Sequence, residues 1–133
     1  MGAGAGSYEP GDRYVLAVEP SAAMRARRAS TRAVAAVDAV AESLPFDDAS
    51  IDAAMAIFTV HQWPDPALGL AELRRVTRGP VVVMTLDVEA PSDFWLGEYV
   101  PEGRAVERDR FPTLTDIRAA LGGSSTVTPV PDT

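Results

Sequence analysis

Gly2-Ala3-Gly4-Ala5-Gly6-Ser7, followed by Tyr14-Val15-Leu16-Ala17-Val18-Glu19, sets a glycine-rich turn ahead of an apolar run that ends on a carboxylate. Glycines at alternate positions let the backbone take positive φ angles and approach a ligand closely. The amides of such a loop, and of a helix start behind it, can hold a carboxylate or a phosphate. A carboxylate at the carboxyl end of the next strand suits the two hydroxyls of a ribose. Together they read as a Rossmann-like sheet gripping a nucleoside-containing cofactor. Each half also has a plainer reading, as an alanine-glycine tail and as a surface glutamate ahead of a turn. The dinucleotide pattern G-x-G-x-x-G needs glycine at position 7, where Ser7 stands; the chain reads G-x-G-x-G.

Outward from this stretch, apolar and polar segments alternate in a βαβ rhythm. Residues Arg13 to Val18 are expected as a strand, and Ser21 caps a short helix to about Arg28 with Met24 turned inward. Val34 to Ala41 is a weaker strand, because alanine is a poor strand former. Proline and paired aspartates make Leu44-Pro45-Phe46-Asp47-Asp48 a loop. Ile51 to Val60 reads as a strand covered on both faces. Asp65 caps a second helix with Pro66 at its first position, Leu70, Leu73 and Val76 share one face, and Glu72 and Arg75 can pair on another. Gly79-Pro80 stops it, and Val81 to Leu86 follows as a strand. Pro91 to Tyr99 and Thr113 to Leu121 read as helices, and Thr126 to Val130 as the start of a further strand.

The 133 residues, 47% of them hydrophobic, suffice for one domain with a real core. There is no run of about 18 apolar residues and no secretory leader pattern, so no membrane partner is expected and the default address is cytoplasmic. A net charge of −7 argues against nucleic-acid partners. No cysteine is present, which removes disulfides, thiolate nucleophiles and cysteine-held zinc, and no metal site is expected. All twelve basic residues are arginine, which excludes Schiff-base and P-loop lysines within this chain. Arg25, Arg27, Arg28 and Arg32 read as a solvated helix face.

Five segments in order carry a resemblance to a known family. These are Gly2-Ala3-Gly4-Ala5-Gly6-Ser7-Tyr8, Val18-Glu19-Pro20-Ser21 with Met24, and Ala41-Glu42-Ser43-Leu44-Pro45-Phe46. The others are Ser50-Ile51-Asp52-Ala53-Ala54 through His61-Gln62-Trp63, and Glu72-Leu73-Arg74-Arg75-Val76. They resemble the class I S-adenosylmethionine-dependent methyltransferases, most of all the small-molecule branch called methyltransferase type 11. The likeness runs from residue 1 to about residue 100.

The resemblance implies an α/β, Rossmann-like methyltransferase fold with a mostly parallel sheet flanked by helices. It implies one partial domain over 1–133, with the cofactor-binding part in 1–88 and a substrate-side part in 89–133. It implies methyl transfer from S-adenosyl-L-methionine to a small-molecule acceptor. Gly2, Gly4 and Gly6 would cradle the methionine portion, and Glu19 would accept from both ribose hydroxyls. Ala41 and Glu42 would border the adenine edge, with Met24 or Leu44 against its faces. Phe58, Thr59 and His61 would face the sulfonium and the substrate. His61, the only histidine, is the candidate base, against a plain packing role beside Trp63. Trp63, Phe94, Trp95 and Tyr99 are either an acceptor pocket or ordinary core.

The family's first strand, at the centre of the sheet, has no residues before Gly2 to form it, and the last strands are not completed. The expectation is a fragment truncated at both ends, with exposed sheet edges that invite self-association. A truncated fragment without catalysis and a nicotinamide-dependent oxidoreductase are the alternatives. Ser7 and the Ala41 to Phe46 segment argue against the oxidoreductase.

Overall fold

The computed structural model describes residues 1–28, 34–90, 106 and 109–130. Among these the regular elements are α1 (Ala22–Ala26), β1 (Ala54–Ile57), a 3₁₀ turn (Val60–Gln62), α2 (Pro66–Val76), β2 (Val81–Met84) and α3 (Leu114–Leu121). Each helix starts where a short polar side chain satisfies a free backbone amide. Ser21 accepts from the Met24 amide and Asp65 from the Leu68 amide. Thr113 and Asp116 bond each other's backbone in a capping box. Helix α2 ends at Thr77, whose carbonyl and that of Gly79 accept from the Arg74 guanidinium.

β1 and β2 are parallel, with Ala54 opposite Val81 and Ile57 opposite Met84, and α2 is the crossover between them. Leu70, Leu73 and Val76 of α2 pack with Ala56 of β1, Val60, Trp63, Leu44, Val18 and Ile117 of α3 in one core. Gly69 lets the helix come close: a Cβ there would lie 2.5 Å from Cε3 of Trp63 and 3.0 Å from the Ala41 methyl.

A second parallel pairing joins Val18 to Val37, with the Val37 amide donating to Ala17 and the Glu19 amide donating to Val37. Residues 1–3 lie between this pair and β1. The Ala3 amide donates to Val18 O at 3.0 Å and the Met1 amino group to Met55 O at 2.8 Å. Burial there holds the Met1 amine below its ordinary pKa, against the pull of Glu9 and Glu19. The expected α/β arrangement with a parallel sheet, open and incomplete, is present.

Several strands are shorter than their sequence pattern. Arg13 to Val18 pairs only at its end, and Tyr14 and Leu16 are exposed. Strand geometry needs a partner, and among the described residues these positions have none. The Val34 to Ala41 segment likewise pairs only around Val37. The strand expected over Ile51 to Val60 spans only Ala54 to Ile57, with a separate parallel bridge from Ile51 to Thr77. It ends where Phe58 turns to a φ of 48°, outside extended geometry. Its surroundings also differ from expectation: Ala56 is buried, but Ala54, Met55 and Ile57 are only half-buried. Thr126 to Val130 forms no strand and is exposed throughout. The helix expected over Pro91 to Tyr99 lies outside the described residues.

Candidate cofactor site

Gly2, Gly4 and Gly6 take φ angles of 66°, 52° and 94°, a region that side-chain-bearing residues enter only with strain. A Cβ on Gly2 would overlap the Thr59 hydroxyl, and one on Gly4 would press on Cε of Met24 at 3.3 Å. The loop is therefore wound tightly between the end of β1 and the start of α1.

Glu19 ties this loop to its own strand. Its Oε2 accepts from the Gly4 amide at 2.8 Å and its Oε1 from the Ser21 amide at 2.9 Å. The residue is 8% exposed. Among the described residues no arginine pairs with its carboxylate. A carboxylate has room for about four hydrogen bonds, so two acceptor positions remain beyond the backbone amides.

Two of the four arginines expected on a solvated face are engaged instead, Arg25 and Arg28; Arg27 is exposed as expected, and Arg32 lies outside the described residues. Arg25 donates to the Glu19 and Pro20 carbonyls at 2.8 Å and to Asp38. Arg28 pairs with Glu9 at 2.6 Å, with both side chains under a tenth exposed. The pair bolts the exit of the glycine loop to the end of α1. Neither contact has a local sequence signal, because each joins residues brought together by the turn between them.

Thr59 is buried beneath Gly2, with its Oγ1 accepting from the Trp63 indole at 3.2 Å. Phe58 is 41% exposed, and its left-handed backbone costs about 1–2 kcal/mol. Its amide bonds Met84 O at 2.9 Å, so the kink is held by β2. The His61 ring stacks on Phe111, with centroids 4.1 Å apart and planes 17° from parallel. Burial, then the charge of Arg110, depresses its pKa below 6.5, and Nδ1 is buried without a hydrogen-bond partner among the described residues. Phe111, far along the chain, is a contact that sequence reading missed.

Gly2, Gly4, Met24, Glu19 and Thr59 thus come together in direct contacts, with Phe58 and His61 flanking Thr59 along the chain. Ala41 and Glu42 stand apart from that cluster in their side-chain contacts. The Ala41 methyl faces Gly69, and Glu42 Oε1 accepts from the Asp65 amide at 3.0 Å. A separate cavity of about 390 Å³ opens between α2 and α3, lined by Asp65, Leu70, Pro112 and Asp116 among others. None of the predicted site residues lines it. Among the described residues no three of His, Asp and Glu are grouped to hold a metal ion. Of the aromatics, Phe94, Trp95 and Tyr99 lie outside the described residues, while Trp63 is core.

Parallel pairings joined by a helical crossover, with a left-handed glycine loop bonded to the buried carboxylate that follows Val18, define a Rossmann-like α/β fold. Residues 1–83 match the methyltransferase domain family, type 11, and the chain belongs to that family. Solved structures agree. A protein assigned as a methyltransferase of an antibiotic biosynthesis pathway from Anabaena variabilis is 29% identical with a TM-score of 0.79, over 91% of this chain and 51% of that one. An S-adenosylmethionine-dependent methyltransferase from Thermotoga maritima is 26% identical with a TM-score of 0.70, over 90% of this chain and 58% of that one. A similarly described Aquifex aeolicus protein, at 21% identity, TM-score 0.56 and coverages of 76% and 67%, shares the fold. No curated protein sequence matches the chain. The chain spans 51% and 58% of the length of the first two structures. Among the described residues no helix is long and apolar enough to cross a membrane.

Proposed function

We propose that this chain provides the cofactor-binding part of an S-adenosylmethionine-dependent methyltransferase acting on a small-molecule acceptor. The observation that carries the reading is Glu19. It is a buried carboxylate without an arginine partner among the described residues, joined to the glycine loop through the Gly4 amide, with acceptor capacity for a diol. The residues present fit the cofactor on this ground.

In this reading Gly2, Gly4 and Gly6 receive the methionine end, and Glu19 holds the ribose hydroxyls. Ala41 and Glu42 border the base, with Met24 packing nearby. When bound, S-adenosylmethionine supplies a methyl group already activated by the sulfonium. The work left to the protein is alignment of the acceptor and exclusion of water. Phe58 and Thr59, at the kinked end of β1, bound the acceptor side. His61, kept neutral by burial and by Arg110, takes a proton from the acceptor where the acceptor must lose one. Residues 1–88 serve the cofactor and 89–133 the acceptor side, in a cytoplasmic protein that self-associates through its open sheet edge.

Calorimetric titration of the purified chain tests the reading. Heat is expected with S-adenosylmethionine and S-adenosylhomocysteine and none with NAD. Glu19→Ala should weaken both by at least about tenfold, since bonds to a charged acceptor are worth about 1.5–3 kcal/mol. Folded protein that binds neither sulfur ligand, or that binds NAD instead, overturns it.

A further inference from the structure

The Leu44 to Asp48 loop is fastened to α2 by the Arg75 guanidinium together with the Glu72 carboxylate. Arg75 Nη2 donates to Leu44 O at 3.1 Å, and Nη1 to Phe46 O at 3.0 Å and to Asp48 Oδ1 at 2.6 Å. Nε and Nη2 also grip both oxygens of Glu72, at 2.6 and 2.9 Å. Glu72 Oε2 accepts in turn from the Leu44 amide at 3.0 Å. The Arg75 carbonyl receives the Ala49 amide at 2.9 Å. At the other end of the same stretch, Glu42 accepts from the Asp65 amide, at the cap of α2.

An ordinary ion pair on a helix surface involves its two side chains and nothing else. This one reaches backbone groups 28 to 31 residues away and satisfies both the amide and the carbonyl of Leu44. Proline at position 45 leaves the loop one backbone donor fewer to hold its own shape. The turn just before it leaves the Ala41 and Glu42 amides without a backbone acceptor among the described residues. These amides are donors suited to the ring nitrogens of a purine.

We propose that Arg75 and Glu72 are positioning residues for the base of the cofactor, holding the Ala41 to Phe46 segment in the shape that presents the Ala41 and Glu42 amides to an adenine. The inference rests on the cofactor reading above. It assigns the selectivity for adenine to a clamp whose side chains need not touch the ligand. Lysine at position 75 would keep the charge but lose the planar fork that binds Glu72 and two carbonyls together.

The test compares S-adenosylhomocysteine with its hypoxanthine counterpart, S-inosylhomocysteine, by calorimetry on the native chain and on Arg75→Lys and Glu72→Gln. Near-ultraviolet circular dichroism checks folding. The native chain should prefer the adenine ligand, and in each folded variant that preference should shrink by about tenfold, the worth of one hydrogen bond. A purely structural clamp lowers thermal stability and leaves the ratio unchanged, which overturns the proposal alone. Should Arg75→Lys fail to fold, Glu72→Gln, which keeps an acceptor for the Leu44 amide, decides by the same ratio. A native chain that binds both ligands equally also overturns the proposal. One that binds neither overturns the cofactor reading and the proposal with it.

Discussion

Gly2→Ala probes whether the glycine loop is held against the end of β1. The backbone φ of 66° costs an L side chain about 1–2 kcal/mol. The new methyl would also overlap the Thr59 hydroxyl and lie 2.7 Å from Thr59 Cβ and 2.9 Å from Cγ2. Thr59 cannot swing aside freely, because its hydroxyl accepts from Trp63 in the core. Overpacking of this kind costs about 1–3 kcal/mol, for a total of about 2–5 kcal/mol. Two controls separate the contributions. Gly123 has a φ of 69° with nothing within 4 Å of a Cβ, so Gly123→Ala should pay a backbone cost without any overlap. Gly11 has neither constraint, and Gly11→Ala should leave stability unchanged or slightly raised. Urea unfolding followed by tryptophan fluorescence should rank them native or Gly11→Ala, then Gly123→Ala, then Gly2→Ala. If Gly2→Ala costs no more than Gly123→Ala, residues 1–3 are not seated between Val18 and Met55, and the cradle described above is wrong.

Gly69→Ala carries a sign test. Helix propensity alone favours alanine by about 1 kcal/mol, but the Cβ would sit 2.5 Å from the Trp63 ring, so net destabilisation in urea is expected. His61 is the only histidine, so its imidazole proton resonances can be followed without ambiguity. They should titrate below 6.5, and a midpoint at or above that value refutes the burial described for the ring. As pH falls from 6.5 through the depressed value, the unfolded chain takes up a proton that the folded ring resists, so His61 lowers stability over that window. Glu72 is held below its ordinary 4.5, mainly by the hydrogen bond from Arg75. Its contribution is complete above 4.5 and lost as pH falls through the depressed value. The stability gap between native protein and Glu72→Gln should therefore close below pH 4.5, and a gap unchanged down to full acid unfolding contradicts the clamp.

The three helix starts were legible because capping is local: Ser21, Asp65 and Thr113 each bond an amide three residues on. The extents of the strands were not. Whether Tyr14 or Leu16 is strand depends on what lies beside it, and no pattern within that segment reports its neighbours. The glycine spacing correctly pointed to a tight loop, but the sequence held no sign that Gly2 would rest on Thr59. Arg28 looked like surface and is nearly buried against Glu9. Nor did the Glu72-Arg75 spacing, which any exposed helix shows, indicate that the same guanidinium would clasp a distant loop.

By itself, then, the sequence determined what local chemistry controls: where helices begin, that the Gly2 to Gly6 stretch turns tightly, and the order of motifs that names the methyltransferase family. The tertiary structure decided the rest. It set Glu19 against Gly4, kinked β1 at Phe58 where β2 holds its amide, stacked Phe111 on His61 and closed Arg75 around the Leu44 to Asp48 loop. Hydrogen bonds and ring contacts between distant segments depend on the whole path of the chain, and that path is a property of packing rather than of any short run of residues.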